Sequence, residues 1–371
     1  PLVEAQTINR LKNRKKMEGE INSFIKVWIA SITSLCYCYF IVSHIPRGII
    51  RLLSLLPIIY LFIILPFNLH SFHLGGPTSF YLVWLANFKL LLFSFDHGPL
   101  SSSSSHSHPP NSLLPIMVKQ DPPPQTPPNT KNNTDPPPQI ATRVHRSALL
   151  AIKALLLAMV IRIYDYRQHL DPNVILALYC CHVYLGIELT LAISAVPVRA
   201  MLGLELEPQF HEPYLATSLQ DFWGRRWNLM VTSIVRPTVY HPIRHVSTGI
   251  LGRKWAPVPA ILTTFLVSGL MHEIIFFYLT RVSPTWEVTW FFVLHGICTA
   301  AEVVAKKVLT GRWQLHRAVS GPLTVGFVAV TGVWLFLPQM MRNGVDLKAI
   351  GEYSILVDFV RDKLYWLKDL I

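Results

Sequence analysis

The stretch Pro257–Thr280, PVPAILTTFLVSGLMHEIIFFYLT, contains only one formally charged residue, Glu273. A helix of this length crosses the hydrocarbon core of a bilayer, which is about 30 Å thick. Lipid offers no water to exposed N–H and C=O groups, so a spanning segment must satisfy these groups within itself. The stretch therefore predicts a transmembrane α-helix and places the chain among membrane proteins.

His272 is the unusual residue of this helix. An ionisable side chain in hydrocarbon is costly and by default marks a functional site. Thr264, Ser268 and His272 recur at i, i+4 and i+8, so they share one helix face. Gly269, three positions earlier, removes bulk beside the imidazole. Two interpretations follow: a histidine that accepts a proton from a lipid-like substrate, or a structural histidine that hydrogen-bonds a neighbouring helix.

The composition extends this interpretation to the whole chain. Of its 371 residues, 51% are hydrophobic and 15% are charged, whereas soluble domains carry roughly 25% charged residues. The apolar runs lack the alternation of barrel strands. We therefore predict an all-α, polytopic membrane protein with about eight to nine transmembrane helices. Eight spans are predicted, at residues 21–42, 48–67, 78–95, 147–164, 172–196, 257–280, 286–308 and 320–337. A ninth element at 355–367 has the pattern of an interfacial amphipathic helix.

Four segments are predicted along the chain. Residues 1–16 precede Met17, which begins a plausible start, and we expect them to be a non-native or disordered extension. Residues 17–96 hold the N-terminal transmembrane helices. Residues 97–142 are rich in Ser and Pro and predict a disordered linker. Residues 143–371 form the membrane domain that carries the candidate site.

The net charge, the cysteines and the histidine spacing argue against nucleic-acid binding, a disulfide framework and a metal site. The net charge is +12, which in a membrane protein is typical of basic loops on the cytosolic leaflet rather than of nucleic-acid binding. A basic surface also attracts an anionic substrate such as a CoA thioester. The five cysteines follow no disulfide or zinc spacing. The single HxxxH pattern, HPIRH at 241–245, is too little for an iron site, and we predict no metal.

A second polar motif is SLQDFWGRRWN, which ends at Asn228. One interpretation is a surface-lying helix that dips Trp223 and Trp227 into lipid and leaves two arginines in the headgroups. The other is functional. Asn228 would present its amide to a cavity, and Arg225 and Arg226 would hold phosphates through their guanidinium forks.

The helix after the histidine helix carries a third polar pattern. His295, Thr299, Glu302 and Lys306 lie at i, i+4, i+7 and i+11. Such a stripe is typical of a hydrogen-bonded seam between membrane helices. The alternative is that His295 and Glu302 line a reaction chamber.

These motifs together resemble a known family. FWGRRWN (222–228), RPTVY (236–240) and GLMHEIIFFY (269–278) resemble the membrane-bound O-acyltransferases, and within them the plant wax synthase branch, the long-chain-alcohol O-fatty-acyltransferases. FDHGPL (95–100) and RAVSGPLTVGF (317–327) are similar to the same branch. The chain departs from it in having His241 after RPTVY, where an acidic residue is expected.

The resemblance implies a fold, a location and a reaction. It implies an all-helical, multi-span enzyme of the endoplasmic reticulum membrane. Acyl-CoA would enter as co-substrate from the cytosol, and the hydroxyl acceptor would enter from the bilayer. It implies no metal, no other cofactor and no acyl-enzyme intermediate. The family's two signature polar residues fall on Asn228 and His272.

The resemblance also implies roles for the candidate residues. His272 would act as general base on the acceptor hydroxyl, and Asn228 would donate a hydrogen bond to the developing oxyanion or orient the acceptor. The predicted substrate-binding residues are Arg225, Arg226, Trp223, Trp227, Ser268, His295 and Glu302.

Three functions remain open at this point. The acceptor would be a long-chain fatty alcohol, giving wax esters, or a sterol, giving steryl esters. The alternative from another class is a proton-coupled transporter with a relay through His272, Glu273, His295 and Glu302. Transporters of that kind often show internal repeats, and none is visible in this sequence.

Overall fold

The computed structural model describes residues 2–95, 138–202, 208–309 and 315–368. Its regular structure is helical throughout these ranges, which confirms the predicted all-α class. Fourteen α-helices are described, numbered here in chain order: α1 Leu2–Phe40, α2 Ile49–Ile64, α3 Phe72–Ser79, α4 Asn87–Ser94, α5 Pro138–Ile163, α6 Pro172–Leu202, α7 Leu219–Asp221, α8 Leu229–Val235, α9 His241–Trp255, α10 Pro257–Thr280, α11 Glu287–Val308, α12 Arg317–Thr331, α13 Pro338–Arg342 and α14 Val345–Lys368.

Seven of the described segments are long and apolar enough to cross a membrane. They are Arg14–His44, Ile49–Asn68, Ser147–His169, Pro172–Pro197, Pro257–Thr280, Glu287–Val308 and Arg317–Arg342. The third predicted span, 78–95, is missing from this set. It is helical but largely buried in protein, and Asn87 and Lys89 interrupt its apolar run. Because protein surrounds it, it does not need the continuous apolar surface of a lipid-facing helix.

The predicted segment boundaries fall partly outside the described residues. Helix α1 begins at Leu2, so residues 2–16 continue the helix of the first span. Most of the predicted linker, residues 97–137, lies outside the described ranges, and α5 begins at Pro138 within its last part. The assignment of residues 1–16 and of the linker stays a prediction.

The chain divides into two compact units, each described here by itself. The first comprises residues Pro1–Pro115, Val231–Leu315 and Trp334–Ile371. The second comprises Ile116–Met230 and His316–Val333. The first unit contains α10, and the second contains the SLQDFWGRRWN motif.

The core of the first unit lies between α1, α2 and the helical segment 72–94. Leu55 and Phe62 of α2 and Leu90 of α4 are among its fully buried side chains. Arg51 is buried beside them and donates to the carbonyls of Ile45, at 2.6 Å, and Phe93, at 3.2 Å. A buried guanidinium is tolerated here because main-chain oxygens accept hydrogen bonds from it.

The segment 72–94 is one continuous helical run with a wide turn in its middle. Helices α3 and α4 are joined by the π-helical stretch Phe80–Ala86, in which six of the seven side chains are buried. A π-helical turn rotates the side chains that follow it, and such turns are frequent at functional sites. The structural consequence here is that Trp84 points into the protein and is 1% exposed.

The start of this run is held by two carboxylates from other helices. Glu352 of α14 accepts hydrogen bonds from the backbone N–H groups of Phe72 and His73, at 2.7 and 3.1 Å, and from the Ser71 hydroxyl at 2.8 Å. Glu20 of α1 accepts from the N–H groups of His70 and Ser71, at 3.0 and 3.1 Å. The unpaired N–H groups of a helix N-terminus favour anionic partners. Three separate helices are therefore tied together at this point.

Replacing Glu352 with glutamine should destabilise the protein by about 1–3 kcal/mol, because the charged acceptor of several N–H groups is lost. The measurement is thermal or denaturant unfolding of the purified protein in detergent. Asp358→Asn, on the same helix, is the matched control, since Asp358 makes only a half-exposed ion pair with Arg361 and exposed pairs contribute little. Equal losses of stability in the two variants would contradict the role of Glu352 in holding the start of the helical run.

The pH dependence gives the same experiment a second readout. Burial alone would raise the pKa of Glu352, but the hydrogen bonds from Ser71, Phe72 and His73 outweigh it and hold this pKa below its ordinary value of 4.5. A carboxyl group whose pKa is lower in the folded than in the unfolded protein stabilises the fold at any pH above its unfolded-state pKa. This stabilisation is lost as the pH falls through the folded-state pKa. The stability advantage of the wild type over Glu352→Gln should therefore be full above about pH 5 and shrink below pH 4.5.

Candidate active site

The polar stripe on α10 is locked by hydrogen bonds to its own helix. Thr264 Oγ1 donates to the Ala260 carbonyl at 2.7 Å, and Ser268 Oγ donates to the Thr264 carbonyl at 3.0 Å. His272 Nδ1 lies 2.7 Å from the Ser268 carbonyl oxygen. Bonding to the carbonyl one turn earlier is how hydroxyl side chains satisfy themselves in an apolar helix. The stripe is thus one continuous ladder that ends at the imidazole.

The last bond of this ladder fixes the tautomer of His272. A carbonyl oxygen only accepts, so in the bond to Ser268 the hydrogen must sit on Nδ1. In the neutral imidazole the second ring nitrogen, Nε2, then carries a lone pair and no hydrogen. The fold therefore prepares Nε2 as a proton acceptor, which is the chemical state a general base needs.

Aromatic rings surround the imidazole. Phe292 of α11 stacks on it at a centroid distance of 4.3 Å and an interplanar angle of 29°. Trp84 meets it edge to face at 5.2 Å and 80°, and Phe336 at 5.7 Å and 69°. Each such contact contributes roughly 0.5–1.5 kcal/mol and restricts rotation of the ring. The enclosure keeps the orientation of His272 defined.

Gly269 serves this enclosure in a different way from the one predicted. The sequence suggested open space beside the imidazole. Instead α11 fills that space: a Cβ on Gly269 would lie 3.0 Å from Thr289 Cα and 3.3 Å from Phe292 Cβ. The glycine lets two helix backbones approach closely, as small residues do in membrane helix pairs, and so brings Phe292 onto His272.

Glu273 joins the same two helices one turn further along α10. This carboxylate is 2% exposed, and its Oε1 accepts from the N–H of Thr289 at 3.2 Å and from the Thr289 hydroxyl at 3.3 Å. Thr289 lies in the first turn of α11, where N–H groups need acceptors. Glu273 is therefore a structural partner of α11 rather than a second group of the His272 ladder.

The predicted stripe on α11 separates into two parts. His295 is fully buried beside Phe291, with ring centroids 4.3 Å apart, and Thr299 is buried one turn further on. Glu302 pairs with Lys306 at 2.5 Å, and this pair is partly exposed near the end of the helix. The structure thus places His295 in the helix core and Glu302 two turns further along, near the partly exposed end of the helix. Their assignment as substrate-binding residues stays a prediction.

In the second unit, Asn228 lies at a backbone turn. Its φ is +40°, in the left-handed region that asparagine tolerates better than most residues. On one side, the N–H of His211 donates to the Arg226 carbonyl at 2.9 Å, and on the other the N–H of Leu229 donates to the Gln209 carbonyl at 2.8 Å. The strained residue is therefore held by backbone bonds on both flanks.

Arg226 is committed to the same loop. Its Nε lies 2.7 Å from Asp221 Oδ2, and its Nη1 donates to the carbonyls of His211 and Glu212, both at 3.2 Å. Arg225 is exposed. The two adjacent arginines, predicted to act alike, thus have different surroundings: Arg226 stabilises the loop that carries Asn228, and Arg225 faces outward.

The two tryptophans of the motif do not form one regular helical face. Residues Phe222–Arg226 make a π-helical turn, and Trp227 follows it in an extended conformation. Trp227 stacks on Phe222 at 5.3 Å and 17° and packs edge-on against Phe210 at 5.1 Å. Trp223 lies 6.1 Å from Trp227. The predicted interfacial helix is thus replaced by an aromatic cluster that supports the loop.

Behind this cluster lies a buried ion pair. Lys153 of α5 and Glu188 of α6 are 2.6 Å apart, and each side chain is 11% exposed. The Lys153 ammonium also lies 5.7 Å from the Tyr184 ring, which in turn lies 6.2 Å from Trp227. Buried charges inside predicted spans signal a specific role. Both residues stand out in the sequence as charges within apolar runs, yet neither was among the predicted site residues.

The structure divides the predicted site residues between the two units. His272, Ser268, His295 and Glu302 belong to the first unit, and Trp223, Arg225, Arg226, Trp227 and Asn228 belong to the second. Within the described ranges, no three His, Cys, Asp or Glu side chains converge on a common point as metal ligands.

Comparison with known proteins identifies the family. Residues 206–294 match the membrane bound O-acyl transferase family, and this region contains both Asn228 and His272. A long-chain-alcohol O-fatty-acyltransferase from Simmondsia chinensis is 53% identical over 352 residues, which cover 94% of this chain and 98% of that protein. The chain belongs to the membrane-bound O-acyltransferase family. The predicted family resemblance is confirmed.

Two further membrane-bound O-acyltransferase relatives come from Arabidopsis thaliana. An acyl-CoA–sterol O-acyltransferase 1 is 46% identical over 92% of this chain and 98% of its own length. A probable long-chain-alcohol O-fatty-acyltransferase 1 is 46% identical over 93% of this chain and 98% of its own length. These matches span the whole membrane region, including both compact units.

Gly269→Ala should destabilise this membrane-bound O-acyltransferase by about 1–3 kcal/mol, because the new Cβ overpacks a backbone contact, and should lower its activity by shifting Phe292. Gly249→Ala in α9 is the matched control, since nothing lies within 4 Å of its Cβ position and alanine favours a helix. The measurements are melting temperature in detergent and ester formation in microsomes. An unchanged melting temperature in Gly269→Ala would contradict the close approach of α10 and α11.

Proposed function

We propose that the protein is an acyl-CoA-dependent O-acyltransferase that transfers a fatty acyl group to a long-chain fatty alcohol and so produces wax esters. The observation that carries this proposal is the 53% identity, over nearly all of both chains, to a long-chain-alcohol O-fatty-acyltransferase. A further relative with that activity in its name supports it. The protein is a multi-pass membrane protein, and the endoplasmic reticulum is the membrane we propose for it.

The state of His272 supports an acyl transfer that begins with proton abstraction. Nε2, unprotonated because Nδ1 bonds to Ser268, removes the proton of the acceptor hydroxyl. The oxygen attacks the thioester carbonyl of acyl-CoA and forms a tetrahedral intermediate. Collapse of this intermediate forms the ester bond, breaks the C–S bond and releases the CoA thiolate. The imidazolium returns its proton to that sulfur, so His272 ends the cycle neutral.

Asn228 is proposed as the donor to the negatively charged carbonyl oxygen. Its role rests on its place in the family motif FWGRRWN and on the defined backbone conformation of the turn that carries it. One such donor contributes roughly 3 kcal/mol to transition-state stabilisation. No metal and no further cofactor is needed in this scheme, because the two side chains account for the proton transfer and the charge.

The acceptor alcohol is assigned from the identities of the named relatives. One relative is named as a sterol acyltransferase, at 46% identity, below the 53% of the long-chain-alcohol enzyme. The higher identity favours the fatty alcohol. The proton-coupled transporter considered from the sequence finds no support in the family.

His272→Ala should reduce wax ester formation by about 10²–10⁴-fold, the range of general acid–base catalysis. Microsomes from a host without its own neutral-lipid acyltransferases would receive labelled palmitoyl-CoA with hexadecanol and a sterol in competition. His245→Ala, at an exposed position of α9, is the matched control and should remain active.

The outcomes of this competition are distinct. Wax ester that disappears in His272→Ala supports the proposal, and steryl ester that disappears instead would replace the acceptor while keeping the mechanism. Normal turnover by a correctly inserted His272→Ala protein would overturn the general base. No ester of either kind from well-expressed wild type would overturn the function itself.

The two neighbouring arginines provide a separate prediction. We propose that Arg225, exposed beside the loop, contacts a phosphate of CoA, so Arg225→Gln should raise KM for acyl-CoA by up to about fivefold, since an exposed charge pair contributes at most ~1 kcal/mol. Arg226→Gln should instead make the loop sensitive to protease, because its anchor to Asp221 is lost. The measurements are acyl-CoA kinetics and limited proteolysis. Identical behaviour of the two variants would refute the division of roles.

A further inference from the structure

Trp84 is buried against the catalytic histidine and was absent from the residues that the sequence suggested. It lies in the π-helical stretch Phe80–Ala86, is 1% exposed, and its ring centroid is 5.2 Å from that of His272. Phenylalanine at this position would be smaller and would carry no polar atom. The choice of tryptophan adds one polar group, the indole Nε1–H.

That N–H is buried, and it has no hydrogen-bond partner among the described residues. An unpaired donor in an apolar interior costs roughly 1–3 kcal/mol. Three positions further along the same helix, Asn87 is 6% exposed, and its Oδ1 is likewise buried with no partner in the described part of the chain. The helical run that contacts His272 thus contains two buried polar atoms without a partner among the described residues.

A hydroxyl group matches the hydrogen-bonding capacity of His272 Nε2 and Trp84 Nε1. An alcohol has one hydrogen to donate and lone pairs with which to accept. Nε2 of His272 can only accept in its neutral form, and Nε1 of Trp84 can only donate. The centroids of the two rings lie 5.2 Å apart, and an oxygen bonded to both nitrogens would lie about 2.8–3.0 Å from each of them.

We propose that Trp84 is a substrate-binding residue whose indole N–H holds the oxygen of the acceptor alcohol while His272 removes its proton. The inference rests on the proposed function and deepens it by naming the acceptor subsite. As the proton moves to His272, negative charge develops on the alcohol oxygen, and the hydrogen bond from Trp84 strengthens. Hydrogen bonds to charged groups are about twice as strong as neutral ones, so the bond lowers the barrier as well as binding the substrate.

The test replaces the indole and keeps an aromatic ring. Trp84→Phe should lower kcat/KM for hexadecanol by at least about tenfold, which is less than the roughly 10²–10³-fold loss of an oxyanion-hole donor, and leave KM for palmitoyl-CoA unchanged. Trp28→Phe is the matched control. Trp28 of α1 also has a buried Nε1 without a partner in the described residues, but it packs against Phe24 and Tyr81 rather than His272.

A second acceptor separates substrate binding from mere packing. In 2,2-difluorohexadecan-1-ol the oxygen is less basic, so its alkoxide gains less from the Trp84 N–H. Trp84→Phe should therefore reduce kcat/KM less for this alcohol than for hexadecanol. A packing defect would reduce both by the same factor. Equal reductions, or a hexadecanol value within about twofold of wild type, would overturn the inference.

A near-isosteric variant covers the case in which Trp84→Phe does not fold. Trp84→3-benzothienylalanine replaces the indole N–H by sulfur in a ring of nearly the same shape, and the same two-alcohol comparison applies to it. The failures of the two proposals are distinguishable. Inactive wild type would reject the proposed function, whereas an active wild type, an inactive His272→Ala and an unaffected Trp84 variant would reject only the acceptor subsite.

Discussion

A polar group within a lipid-embedded fold must find its partner inside the protein, and this constraint shapes the whole candidate site. Along α10 it produces the ladder in which Thr264, Ser268 and His272 each bond to the carbonyl one turn earlier. The ladder does more than satisfy side chains. Because it ends on Nδ1, it leaves Nε2 of His272 as the basic nitrogen, so a requirement of membrane folding also sets the protonation state for chemistry.

The same constraint explains how distant segments support the histidine. The carboxylates of Glu20 and Glu352 satisfy the N-terminal N–H groups of the helical run that carries Trp84. Glu273 satisfies the first turn of α11, which carries Phe292. These carboxylates thus hold two walls of the aromatic enclosure. In the helical run, Trp84 Nε1 and Asn87 Oδ1 are buried and have no hydrogen-bond partner among the described residues. A substrate hydroxyl is proposed to accept the hydrogen bond of Trp84.

Several features could be predicted from the sequence because they depend on local pattern. The apolar runs predicted helical spans, and the seven described ones agree with those runs to within a few residues at most ends. The motifs containing Asn228 and His272, together with RPTVY, predicted the family. Other predictions were wrong where contacts with distant residues, rather than the local sequence pattern, determine the position of a side chain. Trp223 and Trp227 were expected on one regular helical face, but a π-helical turn and the partners Phe210 and Phe222 decide their placement.

The sequence by itself determined the class of fold, the family and the identity of the ionisable residue in hydrocarbon, because hydropathy and motif spacing are written along the chain. Only the tertiary structure decided what surrounds that residue. Trp84 is far from His272 in sequence, yet its ring lies 5.2 Å away, and adjacent arginines differ because Asp221 binds just one of them. Such contacts arise between segments that fold against each other, and periodicity within a single segment contains no information about its neighbours.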